Sequence, residues 1–126
     1  MSFVYKDLNS YGWPVEFYQP ENGTRKKQSF TARFKELKQT RINEIQVLVQ
    51  KRVKSIQEGE EDTSGITDQS IADEVLVGWE DVEDGEGNPI LFSNKIKKQL
   101  LDKPMLASAI IESYFDSLVK VKEKNS

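Results

Sequence analysis

The segment LVGWEDVEDGEGNPILFS, residues 76–93, combines a large aromatic side chain, an acidic glycine-rich turn and a short apolar patch. Upstream of it, Ile71 and Val75 lead to Trp79 at spacings of four residues, and Val82 follows three residues later. This spacing is typical of one face of a helix. We therefore predict a helix that begins after an N-cap at Thr67 and ends at the acidic turn, where glycines and Asn-Pro reverse the chain.

The N-terminal part of the chain has a period of two. Val15 and Phe17 alternate with polar residues, and Phe30, Ala32 and Phe34 do the same further along. Such alternation puts one apolar row on one face of a strand, and the Asn-Gly pair between the two runs is a strong turn signal. We predict a β-hairpin within residues 1–38, with a ragged basic loop over residues 20–27. A helix through Phe30, Phe34 and Leu37 is the weaker alternative.

The rest of the chain has helical spacing. Thr40 is expected to cap a helix that runs to about Glu58, with its buried stripe formed by Ile42, Ile45, Val49, Val53 and Ile56. After a polar surface loop and the helix that carries Trp79, Ser93 is expected to cap a third helix. Pro104 is expected in the first turn of a last, very apolar helix that reaches Val121.

The predicted fold class is mainly α (α+β), with an N-terminal β-hairpin packed on a bundle of about four helices. All residues from 1 to 126 are assigned to one domain, with the hairpin in residues 1–38, the helices in residues 40–121 and a frayed tail at residues 122–126.

The composition limits the possible chemistry. The chain of 126 residues has no cysteine and no histidine, which removes thiolate chemistry and the commonest general base and metal ligand. Its net charge of −3 gives no reason to expect nucleic acid or an acidic membrane as a partner. The sequence shows neither a signal peptide nor a run of about 20 apolar residues that would span a membrane, so we expect a cytoplasmic protein.

We also expect no catalytic residue, no cofactor and no metal site. The acidic turn does not fit a calcium loop, because Val82 falls on a ligand position whether Gly85 or Gly87 is placed at the central glycine. Its carboxylates are expected to form a solvated face. A basic cluster at residues 25–27 lies near the aromatic residues Tyr18 and Phe30, so a nucleic-acid surface stays open as an alternative to a charged hairpin tip.

Several segments of the chain resemble the tail assembly chaperones of long-tailed bacteriophages. These proteins commonly show a tryptophan, an acidic turn that ends in Asp-Gly-Asn-Pro, an apolar pair and Phe-Ser, as in residues 78–84 and 88–93 here. Residues 103–105 and 109–118 are similar to their closing helix, and residues 30–37 to the segment before their first helix. The chain departs from the pattern at Gly85-Glu86-Gly87, which lengthens an exposed turn.

The resemblance implies a non-enzymatic chaperone that solubilises the tape measure protein and helps to recruit tail tube subunits. It also implies self-association, a longer form made by ribosomal frameshifting, and a location in the host cytoplasm and not in the mature virion. We expect an apolar face bordered by Trp79 and the last helix to bind tape measure helices or another copy of the chain. The candidate protein-binding residues are Trp79, Val82, Leu91, Phe92, Ile111, Tyr114, Phe115 and Leu118.

Two other function classes remain open from the sequence. One is a structural tail or head–tail completion protein of the virion. The other is a small nucleic-acid-binding regulator that uses the basic residues of the hairpin.

Overall fold

A computed structural model describes residues 2–5 and 9–119 of the chain. Its elements are β1 (Ser10–Glu21), β2 (Thr24–Lys35), α1 (Gln39–Gln57), α2 (Asp68–Val75), β3 (Leu76–Glu80), α3 (Asn94–Leu101) and α4 (Leu106–Leu118). The strands form an antiparallel sheet in the order β1-β2-β3. A hairpin on a four-helix bundle is therefore the wrong architecture: the described residues form an α+β fold with a three-stranded sheet and four helices. The predicted tail at residues 122–126 and the predicted helix end at Val121 lie outside the described residues.

The hairpin of β1 and β2 confirms the Asn-Gly turn. Glu21 pairs with Thr24, so the loop consists of Asn22 and Gly23 alone. Both residues have positive φ, at 41° and 85°, as a two-residue turn of type I′ requires. The strands thus continue to the turn, and the ragged loop predicted over residues 20–27 is wrong. The alternative helix through Phe30 and Phe34 is wrong as well, because both residues lie in β2.

The third strand is the feature that the sequence analysis missed. Helix α2 ends at Val75, and β3 begins at once and pairs with β2, so that Trp79 lies opposite Ala32 and Leu76 opposite Phe34. The predicted continuation of the helix through Trp79 is wrong. Leu76 and Trp79 are three residues apart, yet both are buried, because the register shifts beside Phe34 and the strand bulges there. This bulge hides the period of two.

The presence of a glycine at position 78 is explained by Arg33, the residue opposite it on β2. A Cβ atom added at Gly78 would lie 3.1 Å from the Cβ atom of Arg33, whose side chain extends from here toward β1 and hydrogen-bonds to Ser10. On the other side of Arg33, Gly12 occupies the equivalent position in β1, and its added Cβ would lie 3.3 Å from the Arg33 Nη1 atom. The two glycines give the arginine side chain room to lie flat on the sheet.

The junction between α2 and β3 is held by a buried lysine. Lys97 of α3 donates hydrogen bonds from its Nζ atom to the carbonyl oxygens of Asp73, at 3.0 Å, and Leu76, at 3.1 Å. The same Nζ atom lies 3.0 Å from the Asp73 carboxylate. A cation on the last carbonyls of a helix stabilises its C-terminal end, so Lys97 favours the termination of α2 at this point.

Side-chain caps define the starts of α2 and α3 as predicted. Thr67 and Ser70 form a reciprocal capping box, and the Ser93 hydroxyl accepts a hydrogen bond from the Ile96 amide at 3.1 Å. Helix α1, by contrast, begins after Lys38 without a side-chain cap, so the cap predicted at Thr40 is wrong. Arg41 in its first turn binds both carboxylate oxygens of Glu74, at 2.8 and 2.7 Å, and thereby joins α1 to α2.

The core has two adjoining clusters, and Leu37 and Ile111 pack against both of them. The main cluster joins the inner face of the sheet to α2, α3 and α4; its buried members are Val15, Phe30, Ala32, Phe34, Ala72, Val75, Leu76, Trp79, Leu101, Leu106, Ala107, Ile110 and Tyr114. The smaller cluster joins α1 to α2 through Ile45, Ile66 and Ile71. Within the described residues, the model contains no helix whose length and hydropathy would suit a membrane crossing.

Candidate protein-binding surface

Two of the predicted binding residues lie inside the fold. Tyr114 is 1% exposed, packs edge-to-face against Phe34 at 5.2 Å and donates a hydrogen bond to the Lys35 carbonyl oxygen. Trp79 is also buried, and its indole N–H donates to the Ile90 carbonyl oxygen at 2.8 Å. Burial raises the pKa of Tyr114 to about 12. In this conformation both side chains stabilise the core and are not accessible to a partner.

Three other predicted residues surround the acidic turn. Phe92 packs edge-to-face on Trp79 with ring centroids 4.8 Å apart, and Val82 also packs against the main core. Leu91, between Ile90 and Phe92 in the sequence, is exposed. The turn thus presents one large apolar side chain to solvent, and its other apolar side chains anchor it to the fold.

The central carboxylate of the acidic turn, that of Asp84, has a structural role. One oxygen of Asp84 accepts hydrogen bonds from the backbone amides of Glu86, at 2.8 Å, and Asn88, at 2.9 Å. These bonds lower the pKa of the Asp84 carboxyl group, since they favour its charged form. Among the described residues there is no group of three or more carboxylates placed to hold a metal ion. Asp84 therefore acts as the organiser of the turn.

The remaining predicted residues, Ile111, Phe115 and Leu118, lie on α4. Ile111 and Phe115 pack partly buried against the smaller core cluster, next to α1, and Leu118 is exposed. The structure therefore brings these three together, brings Val82, Leu91 and Phe92 together elsewhere, and buries Trp79 and Tyr114. It does not bring the eight residues to one surface.

An open apolar groove lies between α1 and the end of α4. It has a volume of about 470 Å³ and is lined by Gln46, Val49, Gln50, Phe115 and Val119, so its rim is polar but uncharged. Val53 and Ile56 follow Val49 at four and seven residues, which places all three on one side of α1. Val53, Ile56 and Val119 are 46%, 61% and 61% exposed. We call Val49, Val53, Ile56, Phe115, Leu118 and Val119 the α1–α4 face.

The exposure of Val53, Ile56 and Val119 on this face was not predicted from the sequence. Val53 and Ile56 were expected in the buried stripe of α1, because their spacing continues that of Ile42 and Ile45. In the C-terminal half of α1 the buried residue is Ser55, and Arg52 hydrogen-bonds to the Ile66 carbonyl oxygen, so the segment before α2 covers a different side of the helix there. No apolar signal in the sequence marks this change of side, because Arg52 and Ser55 are polar.

Comparison of the chain with protein-family models, with curated protein sequences and with solved structures finds no match. The residues of this chain alone therefore carry the functional assignment.

Proposed function

We propose that this chain is a phage tail assembly chaperone that binds apolar helical segments of the tape measure protein through the α1–α4 face. Two observations support the proposal: the resemblance of the quoted segments to that family, and the exposed apolar side chains beside the groove between α1 and α4. The second observation carries it, because exposed contiguous apolar side chains rimmed by polar ones are typical of interaction sites.

The face suits an amphipathic helix as ligand. Apolar side chains at i, i+3 or i+4 and i+7 of a partner helix would lie along the groove, in the way that many helices bind in grooves. Complete burial of a valine or isoleucine side chain contributes roughly 1.5–3 kcal/mol. Burial of the exposed half of Val53, Ile56 and Val119 would therefore contribute about 1 kcal/mol for each side chain, or about 3 kcal/mol together. A contact of this size is reversible, as a chaperone that leaves the finished tail requires.

The finer features of the proposal follow from the resemblance. They are recruitment of the major tail tube protein, through a longer frameshifted form of the chain, and self-association. They also include residence in the host cell cytoplasm and absence from the mature virion. In this role the chain acts without catalysis and without a cofactor.

Co-expression with the tape measure protein from the same genome tests the proposal. We expect the native chain to keep the tape measure protein in the supernatant, and a Val53→Asp and Ile56→Asp double variant to lose most of this effect. Val47→Asp is the matched control, because Val47 is an exposed valine on the opposite side of the same helix. A tape measure protein that is equally insoluble with and without the native chain would overturn the chaperone proposal.

A further inference from the structure

A second groove lies at the tip of the hairpin, beside the loop between α3 and α4. Its volume is about 610 Å³, and its walls include Phe17, Tyr18 and Pro20 from β1 and Pro104 and Met105 from the loop. Tyr18 and Met105 are exposed large side chains. The groove is thus an apolar surface that two separate parts of the chain form together.

The charges of this groove are all of one sign. Arg25 and Lys103 are its charged lining residues, and no carboxylate lines it, although the whole chain has a net charge of −3. Among the described residues, neither cation is within ion-pair distance of a carboxylate, whereas the neighbouring Lys27 pairs with Glu16 at 3.2 Å. Two cations flank apolar walls, so the groove is complementary to an apolar group that carries negative charge.

The start of α4 adds to this complementarity. Met105 occupies the N-cap position with a φ of 68°, its side chain accepts no capping hydrogen bond, and it is 73% exposed. The first turn of α4 contains no acidic residue, so the partial positive charge of this helix end is not offset by its own side chains. The exposed methionine side chain lies at the edge of the groove.

We propose that this groove binds a short peptide segment of a partner protein in which a carboxylate lies next to a large apolar side chain. The carboxylate contacts Arg25 and Lys103, and the apolar side chain packs against Tyr18, Pro20 and Met105. This inference concerns a surface other than the α1–α4 face and does not depend on the proposed function.

A nucleic acid fits the same groove less well. Two cations neutralise few phosphates, and affinity for nucleic acid depends on their number. An adjoining cavity of about 260 Å³ shares Phe17 and Lys103 with the groove and contains Asp81 and Glu83, which repel a phosphate chain that extends in that direction.

Titration of the ¹⁵N-labelled full chain, followed by NMR, tests this proposal. The probes are an acetylated and amidated hexapeptide of alternating aspartate and phenylalanine, the same peptide with lysine in place of aspartate, and a ten-residue oligothymidylate. We expect saturable shifts at Tyr18, Arg25, Lys103 and Met105 with the acidic peptide alone. Arg25→Glu combined with Lys103→Glu is expected to weaken this binding about tenfold or more.

The matched control is Lys51→Glu combined with Lys54→Glu, which makes the same charge change on exposed positions of α1. We expect it to leave the affinity for the acidic peptide within about twofold, because exposed charges beyond a Debye length are screened. Four results would overturn the proposal: no saturable shifts, shifts confined to other residues, equal weakening by both double variants, or tighter binding of the oligothymidylate. The titration of the native chain does not depend on any variant, so loss of folding in a variant leaves the test intact.

Discussion

Replacement of Lys97 by methionine is expected to lower the free energy of unfolding by about 3 kcal/mol. Methionine keeps most of the apolar stem but leaves the carbonyl oxygens of Asp73 and Leu76 without the ammonium group that now binds both at 3.0–3.1 Å. The buried Leu76 carbonyl oxygen costs about 1–3 kcal/mol when it loses its partner, and the part-buried Asp73 carbonyl oxygen, which water can reach, adds about 1 kcal/mol. Lys97 and Leu76 are both buried, so water has little access to replace the bond between them.

Asp73→Asn is the matched variant. It removes the charge that pairs with Lys97 but keeps both backbone hydrogen bonds of the lysine. The Asp73 side chain is 54% exposed, and an exposed pair of this kind contributes less than about 1 kcal/mol. Asp73→Asn is therefore expected to cost much less than Lys97→Met.

Urea unfolding followed by tryptophan fluorescence measures both variants, since Trp79 is buried in the native state. With an m-value of about 1–3 kcal/mol/M, a loss of 3 kcal/mol moves the unfolding midpoint by about 1–3 M. A loss below about 1 kcal/mol for Lys97→Met, or an equal loss for Asp73→Asn, would refute the role of these hydrogen bonds in holding the junction between α2 and β3.

Three further predictions concern stability. Glu74→Gln is expected to cost about 1 kcal/mol at neutral pH, because it weakens the two hydrogen bonds from Arg41. The hydrogen bonds from Arg41 lower the pKa of Glu74 below its ordinary value of 4.5. Their contribution to stability is therefore present above pH 4.5 and is lost as the pH falls through the lowered pKa. The free energies of unfolding of the native chain and the variant should accordingly converge below pH 4.5. Burial raises the pKa of Tyr114 to about 12, so its contribution to stability is present below the ordinary pKa of 10.0 and is lost as the pH rises to about 12. The pKa of Tyr11 is raised as well, so ultraviolet titration should show late phenols, of which Tyr114→Phe removes the one near pH 12. Gly23→Ala is expected to cost about 1–2 kcal/mol by thermal unfolding, because φ is 85° at this position; an unchanged melting temperature would contradict the two-residue turn.

Local signals in the sequence predict much of this fold. The Asn22-Gly23 pair and the alternation around Val15 and Phe30 predict the hairpin, and the structure confirms it. Thr67 and Ser93 predict the starts of α2 and α3, since the hydroxyl of an N-cap residue acts on amides only a few residues away. These features depend on contacts within a few residues, and the sequence displays such contacts directly.

The third strand depends on contacts that are distant in the sequence. Trp79 lies at a helical spacing from Val75, so the pattern alone favours a helix, but its strand partner Ala32 is 47 residues away (79 − 32 = 47). The bulge beside Phe34 then buries both Leu76 and Trp79 and removes the alternation that marks a strand. Lys97 of α3 adds hydrogen bonds to the carbonyl oxygens of Asp73 and Leu76, which are also distant from it in the sequence.

The candidate site was only partly predictable for the same reason. Phe115 and Leu118 were found because α4 is apolar over most of its circumference. Val53 and Ile56 follow the same spacing as the buried Ile42 and Ile45, and spacing cannot show where the covering elements end. The exposed part of the stripe becomes visible only when the neighbours of α1 are placed.

Site-specific photo-crosslinking in cells that express this chain with the tape measure protein tests the proposed function most directly. A benzoylphenylalanine at position 56, on the α1–α4 face, should give a covalent product with the tape measure protein. The same residue at position 47, an exposed position on the opposite side of α1, should give none. Equal crosslinking from both positions, or none from either, would contradict the assignment of the α1–α4 face as the binding surface.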